Sequence, residues 1–221
     1  MVATHSHVVK PVSVTFSEQI ASGIYLFGFK RNFDFTAGQV IGIALQEDGP
    51  RRLYSICSGE KQDEIWILYN VIEEGYLTPL LAEIEPGDTL WITQPRGEFI
   101  CDENPAVWIA TGTGIAPFYS MLRSGLAVNK TLICGNRYME QFHFFDEFQS
   151  ILGNQYIRCC SAEYDEEIFH GRVTDYLAGQ PELDTELKYY LCGSAEMVVD
   201  TRDILIASAV PFDQIISEIY F

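Results

Sequence analysis

Basic residues are scarce. The chain has 14 Lys and Arg against 31 Asp and Glu in 221 residues, a formal charge of −17. No run of Lys or Arg longer than two residues occurs. Binding a nucleic-acid backbone requires clustered positive charge that displaces counterions, so a nucleic-acid binder is excluded. An anionic membrane surface is disfavoured on the same ground. No apolar stretch approaches the ~20 residues that cross a bilayer as a helix. The opening segment MVATHSHVVKPVSV lacks the long apolar core of a secretory signal. The six cysteines, Cys57, Cys101, Cys134, Cys159, Cys160 and Cys192, form no C-x-x-C pair and no spaced cluster. Zinc and iron–sulfur ligand sets are therefore not expected, and no metal site is assigned. Scattered thiols without a secretion signal read as reduced core residues of a cytoplasmic protein.

What is present suffices for a folded core, with 48% hydrophobic and 13% aromatic residues. Up to about residue 100, short apolar or alternating runs recur: VVKPVSVTF, GIYLFGF, QVIGIAL, EIWILYNVI and DTLWITQP. Gly, Pro and Asp turn signals separate them, the pattern of a β-sandwich or small barrel. YLTPLLAEIE (76–85) interrupts them as a short helix, with Thr78 as a candidate N-cap ahead of Pro79. After Pro105 the texture changes. AVWIAT, TLICGN, YIRCCSA and KYYLCG alternate with helical patterns, including EQFHFFDEFQSIL (140–152) and SAEMVVDTRDILIASA (194–209). Alternation of this kind predicts βαβ units on a parallel sheet. The boundary is placed at Asp102, giving domains 1–102 and 103–221. The first carries 7 basic and 14 acidic side chains, the second 7 and 17.

Five local patterns could carry chemistry. Gly112–Pro117 (GTGIAP) follows the AVWIAT strand, where glycines let the backbone approach a phosphate and a helix N-terminus presents N–H groups. It lacks the third glycine of a full dinucleotide fingerprint and equally fits a tight strand–helix turn. Arg52-Leu53-Tyr54-Ser55 places Arg52 and Tyr54 on one strand face, suited to a pyrophosphate and to stacking on a flat ring, or to an ordinary exposed strand. Gly75-Tyr76-Leu77-Thr78-Pro79 opens the short helix, as an anion site or a plain cap. Leu191-Cys192-Gly193-Ser194, with Met197 one turn on, is a strand end of the kind that meets ligands in a doubly wound sheet, or a core segment. Ser217 to Phe221 brings two adjacent aromatics, a tail fixed by stacking or a core strand.

Taken in order, R-x-Y-S, G-x-L-T-P, P-x-G-x-F (Pro95 to Phe99), GTGIAP, CGS and E-x-Y-F resemble the ferredoxin–NADP reductase superfamily, most closely its bacterial ferredoxin/flavodoxin–NADP reductases. FTAGQ (Phe35 to Gln39) fits the strand ahead of the flavin motif. The resemblance covers essentially the whole chain. It implies a six-stranded antiparallel β-barrel that binds FAD and a doubly wound parallel α/β domain that binds NAD(P). By that resemblance Arg52 pairs the FAD pyrophosphate, Tyr54 packs on the flavin and Ser55 bonds near its N5, with Leu53 beside them. Tyr69, Asn70 and Val71 line the flavin. Gly75, Tyr76, Leu77 and Thr78 hold the pyrophosphate side. Tyr220 covers the flavin face as a displaceable gate, and Phe221 stacks on the adenine. Thr113 is assigned to both nucleotides. Thr111, Gly112, Gly114, Gly193 and Met197 cradle the nicotinamide nucleotide, and Cys192 sits by its nicotinamide. Ser55, Cys192, Glu218 and Tyr220 make up the hydride-transfer site.

The resemblance further implies a ferredoxin or flavodoxin partner; Lys30, Arg31, Arg51, Arg52 and Arg96 lie in the flavin half as candidate docking cations, and a monomer is the default expectation. Alternatives are a reductase component serving an oxygenase or free flavin, and a nucleotide-binding subunit without turnover. Relatives that read NADPH usually carry Ser/Thr-Arg after the third strand of the nucleotide domain. This chain has Ser161-Ala162-Glu163 there. Arg137 and Arg172 match other basic positions that meet the 2′-phosphate, while Asp165, Glu166 and Glu167 oppose one. NADPH is expected over NADH.

Overall fold

The computed structural model describes residues 9–220. The chain divides into two compact units, Met1–Ile100 and Cys101–Phe221. The division falls before Cys101 because both residues of the Cys101-Asp102 step face the second unit. The Cys101 thiol bonds the Tyr190 side chain, and the Asp102 carboxylate lies 3.5 Å from Lys188 Nζ.

The first unit is a six-stranded antiparallel sheet. Its strands are β1 (Lys10–Ala21), β2 (Ile24–Lys30), β3 (Val40–Ala44), β4 (Arg52–Ser55), β5 (Glu64–Asn70) and β6 (Thr89–Ile92). They lie in the order β4-β3-β6-β1-β2-β5. A bridge between Ile56, just past β4, and Ile67 of β5 joins the two sheet edges. This removes the row of unpaired backbone groups that an open edge would expose. Period-2 alternation sends Val12 and Val14, Phe27 and Phe29, Ile65 and Ile67, and Ile41 and Ile43 into one core.

The helix α1 is only Thr78–Leu81. The residue before it, in the capping position, is Leu77, and it makes no side-chain cap. Thr78 is inside the helix, and its hydroxyl accepts the Ile72 amide at 2.9 Å instead. The Thr78 N-cap expectation is thus corrected: this hydroxyl secures the preceding loop.

The second unit is a six-stranded parallel sheet: β7 (Ala106–Thr111), β8 (Lys130–Asn136), β9 (Tyr156–Cys160), β10 (Phe169–His170), β11 (Lys188–Ser194) and β12 (Ile215–Tyr220). Its order is β10-β9-β8-β7-β11-β12. The order reverses around β7, which makes the crevice beyond its carboxyl end the natural ligand position. Helices α2 (Ala116–Arg123), α3 (Phe145–Leu152), α4 (Val173–Ala178) and α5 (Ala195–Ala207) connect the strands. β7 is buried on both faces, as a central parallel strand should be.

The single helix expected over 140–152 is two pieces, a 3-10 turn at Met139–Gln141 and then α3. Phe144 takes a left-handed backbone (φ 58°) and stacks on Tyr119 with centroids 3.7 Å apart. That ring contact outweighs helix continuity, and it leaves Phe142 buried outside the helix while Ile151 stays exposed.

Candidate functional site

In the first unit, β4 carries the R-x-Y-S motif against β3, with Ser55 opposite Val40 and Tyr54 opposite Ile41. Ser55 is buried, Tyr54 half-buried, and Leu53 is 52% exposed. Arg52 and Tyr54 do share a face. Burial pushes the Tyr54 phenol up to about 12, and the Arg52 guanidinium beside it pulls the other way. The Tyr54 ring meets Tyr69 of β5 edge-on at 6.2 Å, and Tyr25 stacks on Tyr69 from another side.

Tyr69 Oη is buried with no hydrogen-bond partner among the described residues. Burial, then Tyr54 and Tyr25, push that phenol upward as well. An orphaned hydroxyl inside an aromatic cluster fits a flat heteroaromatic ligand that carries its own hydrogen-bonding edge. Asn70 is exposed at the end of β5, and Val71 and Gly75 are half-buried in the loop that Thr78 secures. Tyr76 is 57% exposed, whereas the Leu77 side chain belongs to the core. Leu77 therefore offers a ligand its backbone only.

In the second unit, a cavity of about 360 Å³ opens at the carboxyl ends of β7, β8 and β11. It gathers Thr111, Gly112, Arg137, Ser161, Arg172 and Met197, six positions the sequence singles out. Gly112 has φ +54° and open space where a side chain would stand, so its backbone faces the cavity bare. Its amide is not free, however: it donates to Asn136 Oδ1 at 3.2 Å.

Gly114 does not line this cavity. A Cβ there would overlap the carbonyl of Cys192, so this glycine exists to let the Gly112–Ile115 turn pack on β11. Thr113, Cys192 and Gly193 are buried beside it and also lie off the cavity lining. Cys192 pairs in register with Ala110 on one side and Glu218 on the other, and Ser194 pairs with Tyr220. Burial, and secondarily Glu218, push the Cys192 thiol well up, while a bond to Tyr220 opposes them. Burial thus favours the neutral thiol form of Cys192. Phe221 lies outside the described residues.

Ser194, the last residue of the Leu191–Ser194 pattern, also lines the cavity, whereas sequence reasoning missed Asn136, Gln141, Thr174, Glu196 and Asp200. Asn136 could have been found by its position at the carboxyl end of β8. Gln141 accepts the Arg137 and Tyr138 amides at 3.2 and 3.1 Å. The glycine-rich turn, two arginines and a serine hydroxyl converging on a concave site suit a phosphate-bearing dinucleotide. Among the described residues no group of His, Cys, Asp or Glu could hold a metal ion, and no helix is long and apolar enough to cross a membrane.

Comparison with known proteins agrees with this geometry. Residues 108–203 match the oxidoreductase NAD-binding domain family. The chain is 30% identical over 193 residues to ferredoxin–NADP reductase B of Sorangium cellulosum, covering 78% of this chain and 79% of that one. It is 29% identical over 192 residues to the flavodoxin/ferredoxin–NADP reductase of Escherichia coli, covering 76% and 77%. It is also 29% identical over 205 residues to the propane 2-monooxygenase reductase component of Mycolicibacterium smegmatis. There it spans only 58% of the relative's length. A ferredoxin NADP+ reductase from Neisseria gonorrhoeae, solved with bound FAD and NADP, shares the fold with a TM-score of 0.87 at 22% identity, covering 96% of this chain and 99% of that one. By its motifs, its two-unit architecture and its sequence relatives, the chain belongs to the ferredoxin–NADP reductase superfamily.

Proposed function

We propose that the chain is an FAD-dependent oxidoreductase that passes hydride between NADPH and flavin and exchanges single electrons with a ferredoxin or flavodoxin. The observation that carries this reading is the cavity of the second unit, where Thr111, Gly112, Arg137, Ser161 and Arg172 converge at the carboxyl ends of the parallel strands. FAD, when bound, supplies the switch between two-electron and one-electron transfer. The residues of the chain bind and orient. Arg52 would hold the pyrophosphate, Tyr54 would pack on the flavin ring, and Ser55 and Tyr69 Oη would meet its polar edge. Tyr220 would gate the ring face, with Glu218 and Cys192 closing the transfer site. The first unit is thus proposed as the FAD domain and the second as the NAD(P) domain.

Arg137, Ser161 and Arg172 support NADPH as coenzyme, even though Ala162 stands where an arginine is usual in relatives that read NADPH. A monomer is the proposed active state, and a cytoplasmic location is proposed with it. A second reading is favoured by the likeness to an oxygenase reductase component and by the charge of −17, which repels an acidic acceptor: the chain serves an oxygenase or free flavin. Steady-state NADPH oxidation with a small iron–sulfur protein as acceptor, measured from low to high salt, separates the two. Fast reduction that changes strongly with salt is expected of docking through Arg51 and Arg96. Turnover with free flavin, and none with the iron–sulfur protein, would move the assignment to the second reading.

A further inference from the structure

The two arginines of the cavity are not equivalent. Arg137 makes no ion pair among the described residues; its guanidinium lies 5.4 Å from the Tyr138 ring centroid. Arg172 is engaged, with Nη1 3.1 Å from Oε1 of Glu196. Glu196 stands in the first turn of α5, behind the N-cap Ser194, and both Glu196 and Asp200 line the cavity with the arginines. The acids expected to oppose a phosphate, Asp165, Glu166 and Glu167, are not in this lining. The opposition comes instead from α5, and the cavity holds two cations against two anions.

A ribose 2′-hydroxyl is neutral, whereas a 2′-phosphate carries nearly two negative charges. Arg172 can serve the phosphate only by sharing or leaving Glu196. The pair is exposed on both sides, at 69% and 72% of each side chain, so parting it is cheap. The cost that persists is the share of the Arg172 charge that Glu196 keeps from the incoming phosphate, a cost that NADH escapes.

We infer that Glu196 is a coenzyme-specificity residue: by occupying Arg172 it narrows the discrimination between NADPH and NADH. The inference rests on reading the cavity as the NAD(P)H site. Glu196 also has an ordinary structural use, since an acid in the first helical turn complements the helix dipole. That use affects the stability of α5 and leaves the choice of coenzyme unmoved.

The test measures binding of adenosine 2′,5′-bisphosphate and adenosine 5′-monophosphate to the purified full chain by calorimetry, alongside kcat/KM for NADPH and NADH. In Glu196→Gln the preference for the 2′-phosphorylated probe is expected to rise roughly 2- to 5-fold, with affinity for the monophosphate unchanged. The kcat/KM ratio should rise in parallel. In an Arg172→Ala background the Glu196→Gln effect should vanish, the coupling that a double-mutant cycle isolates. Asp213→Asn, an exposed acid of the same unit away from the cavity, should leave the ratio as it was.

An unchanged ratio in Glu196→Gln overturns the inference. So does an equal rise in Asp213→Asn, or an effect that survives the loss of Arg172. If neither probe binds the unaltered protein and neither coenzyme is oxidised, the cavity reading itself fails and the inference falls with it. If both probes bind and only the Glu196→Gln shift is missing, the cavity reading stands and the inference alone is lost.

Discussion

Arg137→Ala should raise KM for NADPH roughly 10- to 150-fold and leave KM for NADH nearly unchanged. The magnitude is that of one charge-assisted hydrogen bond, about 1.5–3 kcal/mol, converted to an equilibrium ratio. Arg137 is the arginine of the cavity that makes no ion pair among the described residues, so its whole interaction is available to a 2′-phosphate. Arg172→Ala should cost less, because Arg172 already spends part of its charge on Glu196 at 3.1 Å. Both changes act on binding of the ground state and the transition state alike, so kcat should hold while KM moves. Steady-state kinetics of each variant with both coenzymes checks this. Equal losses with NADPH and NADH would place Arg137 away from the 2′-phosphate.

Gly114→Ala should destabilise the second unit by about 2–4 kcal/mol, more than Gly112→Ala despite the ordinary backbone angles of Gly114. The added Cβ would meet the carbonyl oxygen and carbon of Cys192 and the Cα of Gly193. These are main-chain atoms of a central strand paired on both sides, and they cannot rotate away as a side-chain tip would. At Gly112 the space is open and only the left-handed angle of +54° opposes a side chain, a cost of about 1 kcal/mol. Thermal unfolding should show the order, with Gly114→Ala lowering the melting temperature by about 5–15 °C. Gly112→Ala, whose backbone faces the cavity, should instead affect nucleotide binding more than stability. The reverse order would mean that the second glycine of GTGIAP is there for the ligand and not for packing.

The elements legible in the sequence are those with a strong local signal. Alternation in GIYLFGF and EIWILYN and the unbroken apolar run AVWIAT fix β2, β5 and β7, since each periodicity buries one or both faces in only one arrangement. The family resemblance assigned Arg137, Ser161 and Arg172 to one nucleotide, and the three line one cavity although Arg172 lies 35 positions after Arg137. Long-range partnership was not legible. Nothing local says that Asn136 takes the Gly112 amide, that Gly114 is required by a strand some 78 residues away, or that Glu196 reaches Arg172. Each depends on the topology that brings β8, β11 and α5 to one end of the sheet. The broken helix at Phe144 has the same origin, because the Tyr119 ring that holds it belongs to α2. Thr78 misled for a related reason: its hydroxyl had a closer use, the Ile72 amide, than the helix it opens. β10, two residues long, has too little sequence to carry any periodicity.

The most direct measurement is an anaerobic titration of the purified protein with NADPH, followed in the visible flavin bands. The account predicts a yellow protein that bleaches at about one equivalent of NADPH, which would establish bound flavin, hydride transfer and acceptance of the 2′-phosphate together. A colourless protein, or a yellow one that stays oxidised with NADPH and with NADH alike, would contradict it.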